Sequence, residues 1–471
     1  MNSGQFRRTR LAAAVAGAVL TMAAGQALGS AFALQEQSGS GLGNAFAGGA
    51  ASAEDASTIY FNPAGMSRLP LQVVVAGSLV CPSSKFSDSG SAPAALQPLG
   101  GSGGDAGSCA AIPAMYLSVP INAQWAFGIG VNVPFGLKTE YDSNWIGRFQ
   151  GVESKLETIN VNPALSWKPS DMLSFGAGFS YQHIKATLTN QVNYAGAIAQ
   201  AAQQAAAAGQ IPVAFVAPVV AAYAGSEAGA NIQGNDNGYG WNIGMMFEPD
   251  KQTRFGLAYR SSIKYTINGS ANFSTPPVPT LPSNLVPVAT VLSTAINNGP
   301  LVNTNVTLAL RVPSTTNASF FRQIDNRWDV MGDVQYTDWH SVQQLQIVRS
   351  NGTALQTVPE NFRSTWRVAG GANYHYNDQW MFRGGLAFDQ SPVNNTDRTV
   401  RLPDEDRTWF SVGAQYRMSP QWTFDFGYTF IYVQNPSISQ NQGSTNSFGL
   451  VSGTYHSNVN IAALQVTYNF K

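Results

Sequence analysis

The side chains able to do acid–base, nucleophilic or metal chemistry are few and scattered. Four histidines, His183, His340, His375 and His456, stand far apart, with neither a His-x-x-x-His pair nor a nucleophile-elbow spacing. His340 precedes Ser341 and His456 precedes Ser457, but neighbours on a strand face opposite sides, so neither couple can act together. The expectation is no enzyme, no metal and no cofactor. Cys81 and Cys109 are the two cysteines. In an exported protein such a pair is expected to form a disulfide that staples a loop, and a metal pair, the alternative, finds no histidine nearby.

What the chain carries instead is a surface pattern. Charged residues are 11% of the 471, against roughly 25% in soluble domains, so much of the surface faces something other than water. Basic and acidic residues balance at 26 each, which gives no case for nucleic acid. Arg7, Arg8 and Arg10 precede a short apolar run, Leu11 to Met22, and small residues follow at Ala27, Gly29, Ser30, Ala31 and Ala33. This is a signal peptide, residues 1–31, with cleavage between 27 and 33. No later run reaches the ~20 apolar residues of a spanning helix. An exported, low-charge, aromatic chain without such helices points to a membrane β-barrel.

Alternation with period two runs through the chain. Trp422, Phe424, Phe426, Tyr428, Phe430 and Tyr432 share one face, with Thr423, Asp425, Gly427 and Thr429 on the other. Trp125, Phe127, Ile129, Val131 and Val133 likewise oppose Ala126, Gly128, Gly130 and Asn132. In a membrane barrel the apolar face meets lipid. Short turns are expected at Ile121–Gln124, Lys168–Asp171, Pro249–Gln252, Arg322–Asn326, Asn377–Gln379 and Met418–Gln421. Longer loops are expected near 82–110, 134–153, 191–235, 273–302, 350–359, 391–404 and 434–454. Together these separate fourteen strands over residues 70–471, many longer than the roughly 9–11 residues a tilted crossing needs. Within the Ala-rich loop 191–235, helices are expected at about 195–208 and 213–224, with Pro212 and Pro218 as breakers.

Between signal and first strand lies a Gly-, Ala- and Ser-rich segment, residues 34–65, which contains Glu36, Glu54 and Asp55 and ends in Asn62-Pro63-Ala64-Gly65. Its glycines disfavour a regular strand, and Asn-Pro initiates a turn. By itself it reads as a floppy N-terminal linker.

Six stretches resemble the outer-membrane long-chain fatty acid transporter family, whose relatives include outer membrane protein P1 and toluene-type hydrocarbon channels. They are SGSGLGNAFAGGAASAEDASTIYFNPAG (38–65), PFGLKTEYDSNWIGRFQ (134–150), LETINVNPALSWKP (156–169), YRSSIKYTINGSA (259–271), FRGGLAFDQSPV (382–393) and RTVRLPDEDRTWFSVGAQY (398–416). The resemblance implies an all-β, 14-stranded antiparallel transmembrane β-barrel whose residues 32–69 plug the lumen as a hatch. It also implies passive transport of long-chain fatty acids and similar apolar molecules, with loop capture, a hatch-gated pocket and lateral release. Asn62, Pro63 and Ala64 match the hatch motif, and Phe46, Ile59, Phe61, Lys185 and Asn190 are the expected ligand contacts. Asn190 stands where the family uses an arginine, and the parity of Lys185 aims it outward. Arg260, Lys264, Arg367 and Arg383 are further basic candidates. Pro163 and the Gly128/Gly130 pair are where a wall opening is sought. The expected partners are a fatty acid or other apolar molecule, outer-membrane lipid and lipopolysaccharide, and the chain is expected to act as a monomer. Alternatives are a channel for neutral monoaromatic hydrocarbons and a general diffusion porin.

Overall fold

The computed structural model describes residues 31–470; the signal peptide expected at 1–31 lies, apart from Ala31, outside them. Twenty strand segments join in one antiparallel sheet. Several are halves of one interrupted strand, so the sheet amounts to a closed barrel of fourteen strands. These are β1 (Gln72–Asp88), β2 (Ala110–Pro120), β3 (Trp125–Asn132, resumed at Gly136–Glu140), β4 (Glu153–Ser170) and β5 (Leu173–Val192). Next come β6 (Ala228–Phe247), β7 (Thr253–Arg260 and Ile263–Ser274), β8 (Thr304–Val312 and Thr315–Gln323) and β9 (Trp328–Thr337 and Gln344–Arg349). The last are β10 (Ala354–Pro359 and Thr365–His375), β11 (Trp380–Asp389), β12 (Arg407–Arg417), β13 (Trp422–Val433) and β14 (Val451–Asn469). The barrel closes where β1 pairs with β14, from Gln72↔Asn469 to Asp88↔Gly453. Closure leaves no edge strand to be satisfied in lipid.

Local chemistry fixes one rim. Asn122, Asp250, Asp325 and Asn377 each accept, through the side-chain oxygen, from the backbone N–H groups two and three residues on. Ser419 does the same with its hydroxyl. Such Asx and Ser turns stop a strand and restart it within five residues. After four of these turns a tryptophan opens the next strand on the outward face: Trp125, Trp328, Trp380 and Trp422 are all exposed. The even face of 422–432 points outward as the alternation requires, with Trp422, Phe426, Tyr428 and Tyr432 exposed and Asp425 and Thr429 buried.

The opposite rim carries the long connections, and here the expectations shift. The Ala-rich loop is shorter than 191–235, because β5 runs to Val192 and β6 begins at Ala228. Its helices are α3 (Tyr194–Ala207), capped by the Asn193 side chain, and α4 (Val213–Ala222). Pro218 does not break α4. It sits inside it, the lost hydrogen bond being offset by packing of Val219 and Tyr223 against α3 and a further helix, α5 (Val286–Asn297). That third helix was not expected from sequence. No helix among the described residues is long and apolar enough to cross a membrane.

Cys81 and Cys109 are disulfide-bonded. The bond ties β1 to the residue just before β2.

Candidate functional site: the filled lumen and the break in its wall

Residues 31–69 lie inside the barrel as short helices, α1 (Gly39–Leu42) and α2 (Thr58–Phe61), a 3-10 turn (Pro63–Arg68) and tight loops. Strands all round hold them. Gln465 of β14 accepts from Gly39 N and donates to Asp55. Arg383 of β11 donates to Ser40 O at 2.5 Å, pairs with Asp425 at 2.9 Å and pairs with Glu54. Arg367 of β10 donates to Ala45 O, Ser319 of β8 accepts from Ala50 N, and Gln72 of β1 accepts from Ala56 N.

Asn62 is the tightest junction. Its side-chain oxygen caps Ala64 N at 3.1 Å, while its amide donates to Ala50 O at 2.6 Å and to Met245 O of β6 at 3.0 Å. Pro63 opens the 3-10 turn, where its missing N–H costs nothing. The wall makes room with glycine. A Cβ on Gly244 would stand 1.9 Å from Asn62 Oδ1, and one on Gly256 would stand 1.9 Å from Ala50 O. The same holds for Gly128, whose Cβ would strike Met66 and Ile59. That glycine is therefore a berth for the filled lumen and not an opening.

The lumen differs above and below this segment. On the long-loop side Ile184, Ile232, Ile263, Leu308, Ile347 and their neighbours pack as one apolar cluster, the apolar chamber, with a cavity of about 20 Å³ between Ile232, Leu308 and Ile347. Phe32 enters it edge-on to Trp339, with ring centroids 4.7 Å apart, and lies 5.9 Å from the ring of Phe135. On the short-turn side is a cavity of about 600 Å³ bordered by Glu54, Asp55, Arg254, Asp329, Arg417 and Asp425, among others. An alkyl chain moving straight down would leave apolar walls for charged ones, at roughly 0.8 kcal/mol for each CH₂ returned to water.

The wall is interrupted beside the apolar chamber. β2 pairs with β3 from Pro120↔Ala126 to Met115↔Val131, and Ala110 to Ala114 then have β1 alone as partner. β3 leaves the ladder at Asn132 and resumes at Gly136 against β4 alone. Between them Val133–Phe135 turns into the lumen and pairs with the start of the enclosed segment. Leu34 N donates to Pro134 O, Gly136 N to Phe32 O, and the Gln37 amide to Val133 O at 2.8 Å. Val133, expected to face lipid, is buried for this reason. Pro163, the other proposed opening, is not one: Asn162 donates its side-chain amide to Phe179 O at 2.8 Å, across a ladder that resumes in register at Ala164↔Gly178.

The structure sorts the ligand-contact candidates. Phe61 borders a small cavity of about 50 Å³ beneath the apolar chamber, together with Leu34, Tyr60, Asn242 and Arg260. Phe46 packs against Phe61 and Trp409. Ile59 is pressed against the wall at Gly128 and does not border that cavity. Lys185 does not serve the lumen; it stands exposed on the outward face, opposite Glu157. Asn190 lies near the outer rim, where its carbonyl accepts from Arg401 Nη2 at 3.3 Å, so a guanidinium from another loop stands beside it. Lys264 also faces outward. β6 and β7 pair as Asn242↔Arg260 but then as Asn235↔Asn268, so β7 carries one extra residue at Ser261–Ser262 that reverses its parity. The extra residue puts Ile263, Tyr265 and Ile267 into the chamber and Lys264 outside.

Arg367 and Arg383 are ion-paired. Arg260 is different. It lies over the Tyr60 ring at 4.3 Å and donates to Tyr60 O, Ser180 Oγ and Asn162 Oδ1, with no carboxylate partner among the described residues. A guanidinium has five N–H donors, so two remain, at the edge of the cavity. Sequence reasoning missed Phe32, Phe135, Trp339 and Phe362 as chamber residues; Phe135 did lie in a quoted stretch, next to Pro134.

Residues 20–470 match the model of a family described as outer membrane protein transport protein (OMPP1/FadL/TodX). The chain belongs to this family. It is 30% identical over 437 residues to the long-chain fatty acid transport protein of Escherichia coli K12, covering 92% of this chain and 94% of that one. It is 31% identical over 480 residues to a 47 kDa outer membrane protein of Pasteurella multocida, covering 99% of each. Among solved structures, a Pseudomonas aeruginosa FadL homologue superposes with a TM-score of 0.81 at 26% identity, covering 94% of this chain and all of that one. The toluene transporter TodX of Pseudomonas putida superposes at 0.62 and 16%, covering 88% and 94%, a likeness of fold. The chain is thus an outer-membrane transporter of hydrophobic substrates.

Proposed function

We propose that the chain admits long-chain fatty acids passively and as a monomer, by capture at the outer helices, transfer to the apolar chamber, displacement of a hatch formed by residues 32–69 and sideways release into the bilayer. The observation that carries this reading is the coincidence of the wall break with the start of the enclosed segment. Val133–Phe135 is at once the missing piece of the ladder and the hydrogen-bond partner of Leu34 and Gln37. Movement of that segment therefore frees the chamber and unblocks the gap together. The cavity by Arg260, at about 50 Å³, is far below the roughly 300 Å³ or more of a drug-sized site, so a ligand enters only as the segment yields. The two spare donors of Arg260 suit a carboxylate and favour an acid over a neutral hydrocarbon. A general diffusion porin needs an unobstructed lumen, and residues 31–69 occupy this one.

The test removes one residue, Pro134, because β3 advances four residues from Asn132 to Gly136 where β4 advances three from Asn160 to Glu157, so that β3 can run on beside β2. Uptake of a labelled long-chain fatty acid by cells should be lost while heat-modifiable migration still reports a folded barrel. Uptake at the parent rate would overturn lateral release.

A further inference from the structure

The outward face of β5–β8 changes character near the long-loop rim. Phe179, Tyr181, Tyr239, Trp241 and Tyr259 form an aromatic group, with Tyr181 and Tyr239 centroids 5.7 Å apart and Trp241 and Tyr259 5.1 Å apart. Such belts sit at the lipid headgroups. Beyond them the outward positions turn polar: Asn237, Asn235 and Gln233 on β6, Thr266 and Asn268 on β7. Lys264 and Arg311 lie at this boundary, both exposed and both outward. They are direct partners across the β7–β8 ladder.

Two like charges placed opposite one another on adjacent strands repel. The other outward lysines of this rim have an acid at hand: Lys155 meets Glu157 at 3.2 Å, Lys138 meets Glu140 at 2.8 Å, and Lys185 faces Glu157 in register. Lys264 and Arg311 form no ion pair among the described residues. The nearby carboxylate of Asp236 is engaged by Thr266 N at 2.6 Å. Arg311 is nevertheless oriented, because its Nε donates to Ser262 Oγ at 3.1 Å, which leaves the terminal nitrogens of the guanidinium outward. The bulge that turns Lys264 out of the lumen is what creates the pair.

We propose that Lys264, Arg311 and Ser262 bind a phosphate on the headgroup of a glycolipid in the outer leaflet. An anion between the two cations removes their repulsion, and an arginine beside a lysine suits phosphate oxygens. The acyl chains of the same lipid would lie along Tyr259, Trp241 and Ile243, all on the outward face. This inference rests on the outer-membrane placement and not on which molecule is transported.

The probe is bis-phosphorylated lipid A, titrated into the purified protein in non-ionic detergent and followed by native mass spectrometry. Lys264→Gln with Arg311→Gln should weaken retention of lipid A at least ten-fold, whereas Lys155→Gln should change it by less than about three-fold. Dephosphorylated lipid A should bind the parent as weakly as lipid A binds the double variant. Equal retention by parent and double variant overturns the proposal, as does equal binding of the dephosphorylated lipid, which would mean that acyl contacts alone hold it. Displacement of lipid A by an equal concentration of inorganic phosphate overturns the lipid assignment. Heat-modifiable migration and fatty acid binding are read on every variant and should not move. If the double variant fails to fold, Arg311→Gln alone gives the same reading, with a smaller expected loss.

Discussion

Arg260 offers the sharpest test of what the chamber receives. Replacing it with glutamine keeps a planar, shorter amide and removes the charge. Two donors of the guanidinium are free beside the cavity, and each charge-assisted hydrogen bond contributes about 1.5–3 kcal/mol. Arg260 is part-exposed within the lumen, so the lower end applies. The expected loss is one to two decades in affinity for a long-chain carboxylic acid, at about 1.4 kcal/mol per decade. The methyl ester of the same acid should lose little, because it presents no anion. Arg260→Gln also forfeits the cation–π contact with Tyr60, about 0.5–2 kcal/mol. That term loosens the enclosed segment whichever ligand is bound, so the acid-to-ester ratio isolates the charge. The assay is displacement of a fluorescent fatty acid from purified parent and variant by acid and by ester. An equal shift for both, or no shift for the acid, would refute the assignment. Arg260→Lys should recover part of the acid affinity, a point charge standing in for the fork.

Two further predictions concern the enclosed segment. Burial pushes the Glu36 carboxyl up from 4.5 to about 7, with Asp389 adding to the effect and Arg407 and Arg367 opposing it. Its folded value exceeds its unfolded one, so stabilisation is full below about pH 4.5 and is lost as pH rises through 7, by about 3 kcal/mol at most. Protection factors over residues 34–46, corrected for the base-catalysed intrinsic exchange rate, should therefore be higher at pH 5 than at pH 8, and Glu36→Gln should flatten the difference; an unchanged pH dependence of protection in that variant counts against it. Gly256→Val places a carbon against Ala50 O and should lift the segment near Ala50, at 1–3 kcal/mol or more. Proteolysis within 45–55 should quicken while the barrel stays heat-modifiable, and unaltered cleavage would show that the berth is not tight.

The sequence alone determined the barrel, its strand count and the identity of its short-turn rim. Alternation with period two and turn residues such as Asn122, Asp250 and Asn377 act over a few residues, so no distant partner is needed to read them. It also placed a small-residue, glycine-rich segment ahead of the first strand, which suits a confined lumen. Only the tertiary structure decided that Arg260 has no carboxylate partner among the described residues, that Lys264 faces outward and where the β2–β3 ladder is interrupted. Each of these depends on parity counted through an irregularity. One extra residue at Ser261–Ser262 exchanges the destinations of Ile263 and Lys264, and the departure of β3 at Asn132 is stabilised by Phe32 and Leu34, about a hundred residues earlier in the chain. A bulge gains or loses by its contacts across the barrel, and those contacts do not exist until the barrel closes.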